Sequence, residues 1–147
     1  MQRDFERLSL VMLGWLLVQF LVGMATNLFV DITRSHPGAN PPEYFSGVAE
    51  SVTWAVLHGP FLLQVHAVLG VVLLIGAVSV FVRAMRLGTG PVKIATGVGG
   101  VAILGAGLNG GSFLNYNEDF SSMIMAGFFA IAVAAYVASL FFAREAA

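Results

Sequence analysis

The sequence predicts an all-α integral membrane protein: an antiparallel four-transmembrane-helix bundle with an external amphipathic helix. Three observations predict it. Hydrophobic residues fill 58% of the 147 positions and charged residues only 10%, against about 25% charged in ordinary soluble domains, and mean hydropathy is +0.86. Four apolar stretches are each long enough to cross ~30 Å of hydrocarbon, which takes about 20 residues of helix. Six of the seven Lys and Arg residues gather near one set of span ends.

The spans run at about 8–30, 60–82, 92–110 and 120–142 within a single transmembrane domain, 1–147. None shows the ten-residue alternation of a barrel strand. Arg3 and Arg7 precede the first span as they would a secretory signal. That run is too long for a signal core, however, and is followed by Asn27, Asp31 and a Pro-rich segment, so it reads as a retained span. Arg3, Arg7, Arg83, Arg86, Lys93 and Arg144 lie at one set of ends and Arg34 alone at the other. The positive-inside rule therefore places both termini and the Leu87–Pro91 hairpin turn in the cytoplasm.

Asp31, Glu43, Glu50, Glu118 and Asp119, with His36, His58 and His66, fall on or near the external end. The connection from Asp31 to Gly59 is too long for a simple turn. Its His36–Glu43 part carries three prolines and a glycine, which forbid regular structure. Its 44–58 part reads as an amphipathic helix on the membrane surface: Phe45, Val48, Val52, Ala55 and Val56 recur at helical steps, with Glu50, Ser51 and Thr53 off that face and Trp54 at the interface. Pro60 suits the first turn of span two. Gly110 and Gly111 are expected to end span three, and Asn117 or Asp119 to cap span four.

Absence of cysteine removes thiolate metal sites, iron–sulfur clusters and thiol nucleophiles. With a net charge of −1 and scattered basic residues the chain has no nucleic-acid footprint. No residue set specifies a reaction. Ser121, Ser122, His66 and Glu118 lack a nucleophile-elbow motif, so no catalytic residue is assigned and the chain is not expected to be an enzyme.

Candidate binding residues cluster externally. His66 lies about six residues, ~9 Å, inside span two, where an ionisable side chain faces the bundle interior or a wet cavity. Asn27, Gln64, Asn109, Ser121 and Ser122 come to similar depth, and with His66 and His58 they define a candidate cofactor-binding pocket, or else interhelical hydrogen-bond glue. His66, Met24 and Met123 are a candidate metal set, since thioether and imidazole suit Cu(I), though methionine is also ordinary core filler. The small residues Ala95, Gly99, Ala102, Ala106 and Gly110, and the Gly107–Gly111 pair, permit close helix approach within the bundle or to a partner.

Gln64-Val-His-Ala-Val-Leu-Gly70 resembles the histidine helices of membrane b-type cytochromes, in which a glycine near the ligand makes room for porphyrin. The resemblance implies haem b on His66, with His36, His58, Met24, Met123 or a second subunit as the other ligand. Over its length, and chiefly in His36–Pro42 and Asn115–Ser122, the chain resembles small uncharacterised four-span bacterial membrane proteins, which implies a bacterial plasma membrane. The leading expectation is an accessory or structural subunit of a larger membrane complex, with lipid, other membrane subunits or a second copy as partners. The alternatives are a redox protein holding haem b or quinone at the external face through His66, and an external metal or small-molecule binder or transporter.

Overall fold

The computed structural model describes residues 2–87 and 90–145. Its regular elements are five helices, α1 (Gln2–Phe29), α2 (Tyr44–Leu57), α3 (Phe61–Leu87), α4 (Gly90–Tyr116) and α5 (Asp119–Glu145), with no strand among the described residues. The expected Leu87–Pro91 turn falls partly, at 88–89, outside them. α1, α3, α4 and α5 are long and apolar enough to span a membrane. They form a ring in which α1 and α4 each lie against α3 and α5, while α2 sits on α3 and α4. The side-chain amide of Gln2 donates to the Ala143 carbonyl at 2.9 Å. This ties the ends of α1 and α5 together, opposite the end that carries α2.

The helices outrun the apolar stretches. α1 begins at Gln2, α3 continues to Leu87 and α5 to Glu145, because hydropathy marks the apolar part of a helix whereas flanking Arg and Glu propagate a helix well. The largest difference is in α4. Gly110 and Gly111 do not end it; the helix runs on to Tyr116. It stops at Asn117, whose φ of 56° is left-handed and whose N–H still reaches the Phe113 carbonyl at 2.8 Å. Asparagine tolerates that conformation and is a common helix stop. The link to α5 thus shrinks to Asn117 and Glu118, and the Glu118 carbonyl accepts the Ser121 N–H at 2.9 Å.

The interior of α1 follows a single seam. Phe5, Ser9, Met12, Leu16, Gln19, Gly23 and Thr26 recur at alternating steps of four and three, the spacing of helices packed at a shallow angle. Five of these seven are buried. Met12 fills the space that Gly76 leaves on α3. On α4, a Cβ at Gly99 would stand 3.0 Å from the Tyr136 ring, and one at Gly105 would stand 2.7 Å from the Phe128 ring. The small residues of α4 therefore receive aromatic rings of α5, so that the two backbones approach closely.

α2 is turned from the face its apolar residues suggest, keeping of that face only buried Ala55 and the Val48 contact with Gly111. Gly47, Ser51 and Ala55 are buried, whereas Phe45 is 67% exposed. Ser51, expected to face outward, is fully buried, and Trp54 stacks on His36 with ring centroids 4.4 Å apart instead of lying free at an interface. Gly47, Ser51 and Ala55 are spaced four apart, a small-x-x-x-small row. The row lets α2 sit directly on Gly111, where a Cβ would meet Val48 at 2.6 Å. Close approach decided the face.

Candidate functional site

Two polar clusters stand out, and both are built where helices come closest. The first fixes α2 and the 36–41 segment to the end of α4. Asn115 is fully buried in the last turn of α4, and its amide lies 2.7 Å from Ser51 Oγ. With the amide oriented as its surroundings require, its nitrogen faces the carbonyls of Gly38 and Gly47, each at 3.1 Å, and of Gly111 at 3.3 Å, while its oxygen accepts the Val48 N–H at 3.3 Å. The Asn115 backbone carbonyl accepts the Asn40 N–H at 2.9 Å. One side chain thus joins α4, α2 and the loop.

The loop is shaped to meet it. Gly38 has φ of +83°, and a Cβ there would strike Ser51 Oγ and the Gly47 carbonyl, so the backbone lies flat on α2. Pro41 occupies the space beside Gly47. His36 is buried against Trp54, and its Nδ1–H donates to the Pro37 carbonyl at 2.8 Å. The Tyr44 hydroxyl donates to the Leu108 carbonyl at 3.2 Å and shares a 2.7 Å hydrogen bond with Ser112 Oγ.

Glu43 starts α2. Its carboxylate accepts the Phe45 and Ser46 N–H groups at 3.0 and 2.7 Å, an N-cap arrangement. Those two bonds, that from Ser46 first, hold its pKa below the ordinary 4.5. A carboxyl with a lowered folded pKa stabilises above its unfolded value and loses that contribution as pH falls through the folded one. The start of α2 is therefore expected to loosen below about pH 4.5. Glu43→Gln should flatten this response when amide exchange at Phe45 and Ser46 is followed against pH; an unchanged acid response would assign it to another carboxylate.

The second cluster lies between α1 and α3. The Gln19 amide donates to the His66 carbonyl at 3.1 Å, and its Nε2 lies 3.4 Å from His66 Nε2. The two side chains fit reciprocal gaps. The imidazole sits where a Cβ on Gly23 would come within 2.8 Å, and the Gln19 amide lies 3.5 Å from where Gly70 would carry one. His66 Nδ1 and Gln19 Oε1 are both buried with no hydrogen-bond partner, leaving a donor and an acceptor available between the helices.

The other sequence-level candidates are dispersed. His58 is exposed at the C-cap of α2, where its N–H bonds the Trp54 carbonyl at 2.8 Å. Asn27 is exposed. The Asn109 amide donates to Gly105 of its own helix at 2.9 Å. Gln64 is half-buried one turn into α3, Ser121 is buried and Ser122 half-buried. Met24 and Met123 are 44% and 62% exposed on the outside of the bundle, apart from the α1–α3 seam that holds His66. Among the described residues no group of three or more His, Asp or Glu side chains could hold a metal.

Haem b does not fit His66 as placed. The space at Gly70, where a porphyrin would need clearance, holds the Gln19 amide, and Gly23 closes α1 onto the imidazole. His36 is packed on Trp54, and His58 faces solvent. The glycines serve helix approach instead. Sequence reading missed Gln19 and Asn115 as centres of their clusters. The four-three seam of α1 is the signal for Gln19, whereas Asn115 was hidden by ending α4 at Gly110.

Comparison with known proteins gives no further constraint: no family model, no curated protein and no solved structure matches the chain.

Proposed function

We propose that this chain is a multi-pass plasma-membrane protein whose four long helices cross the bilayer as an antiparallel bundle, and that it serves as a non-catalytic accessory subunit of a larger membrane complex. The antiparallel reading is supported by α1–α3 partners that run in opposite directions: Met12 with Gly76, Gln19 with His66, Thr26 with Leu62. Basic residues at the terminal end support cytoplasmic termini.

The observation that carries the accessory role is the use made of the polar residues at the capped end. Tyr44, Ser51, Ser112 and Asn115 are all engaged in holding α2 and the loop onto α4. A fixed cap on a bundle with apolar outer faces is suited to being held by neighbours. A groove between α4 and α5, walled by Ile94, Val98, Ala135, Ala138 and Phe142 among others, has a volume of about 400 Å³ and offers one apolar contact. After extraction in a mild detergent, the chain is expected to migrate on a native gel with other membrane polypeptides. Recovery of the free chain alone would contradict the role.

One observation favours a second reading. The unpaired His66 Nδ1 can donate to a quinone carbonyl, and the unpaired Gln19 Oε1 can accept the hydroxyl of the corresponding quinol. Thermal stabilisation by a short-chain quinone, lost in Gln19→Leu and His66→Ala, would move the assignment to that class.

A further inference from the structure

Each of the four long helices ends, on the α2 side, in an exposed aromatic residue. Phe29 is the last residue of α1 and 78% exposed, Phe61 the first of α3 and 76% exposed. Tyr116 closes α4 at 40%, and Phe120 stands in the first turn of α5 at 61%. They share one level. Thr26 Oγ1 lies 3.3 Å from the Leu62 carbonyl, pairing the ends of α1 and α3; Gly100 of α4 faces Ala77 of α3, each sixteen residues from its aromatic end; and only Asn117 and Glu118 separate α4 from α5.

Every one of these helices also carries a basic residue a fixed distance away. Arg7 precedes Phe29, Arg83 follows Phe61, Lys93 precedes Tyr116 and Arg144 follows Phe120, each roughly 22 to 24 positions apart. At 1.5 Å per residue that is about 33–36 Å, close to the ~30 Å hydrocarbon core with room for long basic side chains to reach outward. Beyond the aromatic level the exposed charges begin at once, with Asp31, Arg34, Glu43, Glu50, Glu118 and Asp119.

Large apolar side chains left in water are unfavourable, so this rim requires a cover. Its shape identifies the cover. A protein partner meets one side of a bundle, whereas these aromatics occupy all four helices of the ring, as a surrounding lipid annulus demands. We propose that Phe29, Phe61, Tyr116 and Phe120 form a lipid-interface anchor at the boundary between headgroups and hydrocarbon. Arg7, Arg83, Lys93 and Arg144 mark the opposite boundary. The two rims fix the depth of the bundle, with α2 seated at the boundary itself, against Leu108–Asn115 of α4 and Leu63 of α3, and with its exposed Glu50 and Thr53 turned to water.

The inference rests on the membrane-spanning reading, and one experiment separates the two. The chain has no cysteine, so single variants Phe29→Cys, Phe61→Cys, Phe120→Cys, Ile75→Cys and Glu50→Cys can each carry a nitroxide, in full-length protein reconstituted into phosphatidylcholine–phosphatidylglycerol vesicles. Depth is read from collision with oxygen against a water-soluble nickel chelate. The expected result is one common depth for positions 29, 61 and 120, within ~5 Å, one helical turn, with 75 deep in the hydrocarbon and 50 fully accessible to nickel. Position 75 accessible to nickel would overturn the membrane reading itself. Position 75 deep but the three rim positions at scattered depths, or position 50 in hydrocarbon, would overturn the anchor alone. Rim labels shielded from both oxygen and nickel would assign the rim to contacts between copies of the chain and also overturn it.

Discussion

Asn115→Leu is expected to detach the cap while leaving the four long helices folded. The substitution removes the group that faces the Gly38, Gly47 and Gly111 carbonyls, the Val48 N–H and the Ser51 hydroxyl, and supplies no replacement for any of them. An orphaned buried polar group costs about 1–3 kcal/mol, and the Ser51 hydroxyl keeps only a long 3.4 Å bond to the Pro37 carbonyl, beside a leucine forced into a position with no solvent exposure. About 1–3 kcal/mol is expected to be lost locally, as when a buried hydrogen-bond network is broken. Limited proteolysis should then cleave in the 30–43 segment, where the parent chain resists, with little change in total helix content. Equal resistance of the two proteins would mean that Asn115 is incidental to the cap. Ser51→Ala removes only one hydroxyl and is expected to show a smaller effect in the same direction.

The second large effect separates two glycines that sequence treats alike. Gly107 and Gly111 form one GxxxG pair, yet a Cβ at Gly107 meets nothing within 4 Å, whereas one at Gly111 would stand 2.6 Å from Val48. Gly107→Leu is therefore expected to be tolerated. Gly111→Leu must push α2 off α4 or distort both, at about 1–3 kcal/mol or more for overpacking, and it strains the same contact that Asn115 closes. Thermal unfolding in detergent should show a lowered midpoint for Gly111→Leu and a midpoint near the parent for Gly107→Leu. A reversed order would place the partner of this motif outside the chain.

These two residues show where the sequence was legible and where it was not. Run length located the four long helices, because an apolar run of about twenty residues is the length of a spanning helix, and proline at 60 with glycine at 59 marked the start of α3 close to where it lies. The face of α2 was misjudged for a physical reason. Periodicity assigns large apolar residues inward, as in water, but here the inward face is chosen by how closely backbones can approach, so Gly47, Ser51 and Ala55 go in and Phe45 stays out. Reading Gly110 and Gly111 as a helix stop moved Asn115 into a loop and concealed its burial. His66 was noticed because it titrates. Its partner Gln19 does not, and it became visible only when α1 and α3 were paired.

The central claim is that α2 is a fixed part of the bundle, locked to α4 through Asn115, rather than a surface helix resting on lipid or a lid. Amide hydrogen exchange of the intact protein in lipid nanodiscs tests it most directly. The structure predicts that the amides of α2 from Val48 to Leu57 exchange as slowly as those of the last turns of α4, Leu108 to Asn115, and that both accelerate together in Asn115→Leu. Exchange in α2 as fast as in the 30–35 segment, unchanged by that substitution, would contradict it.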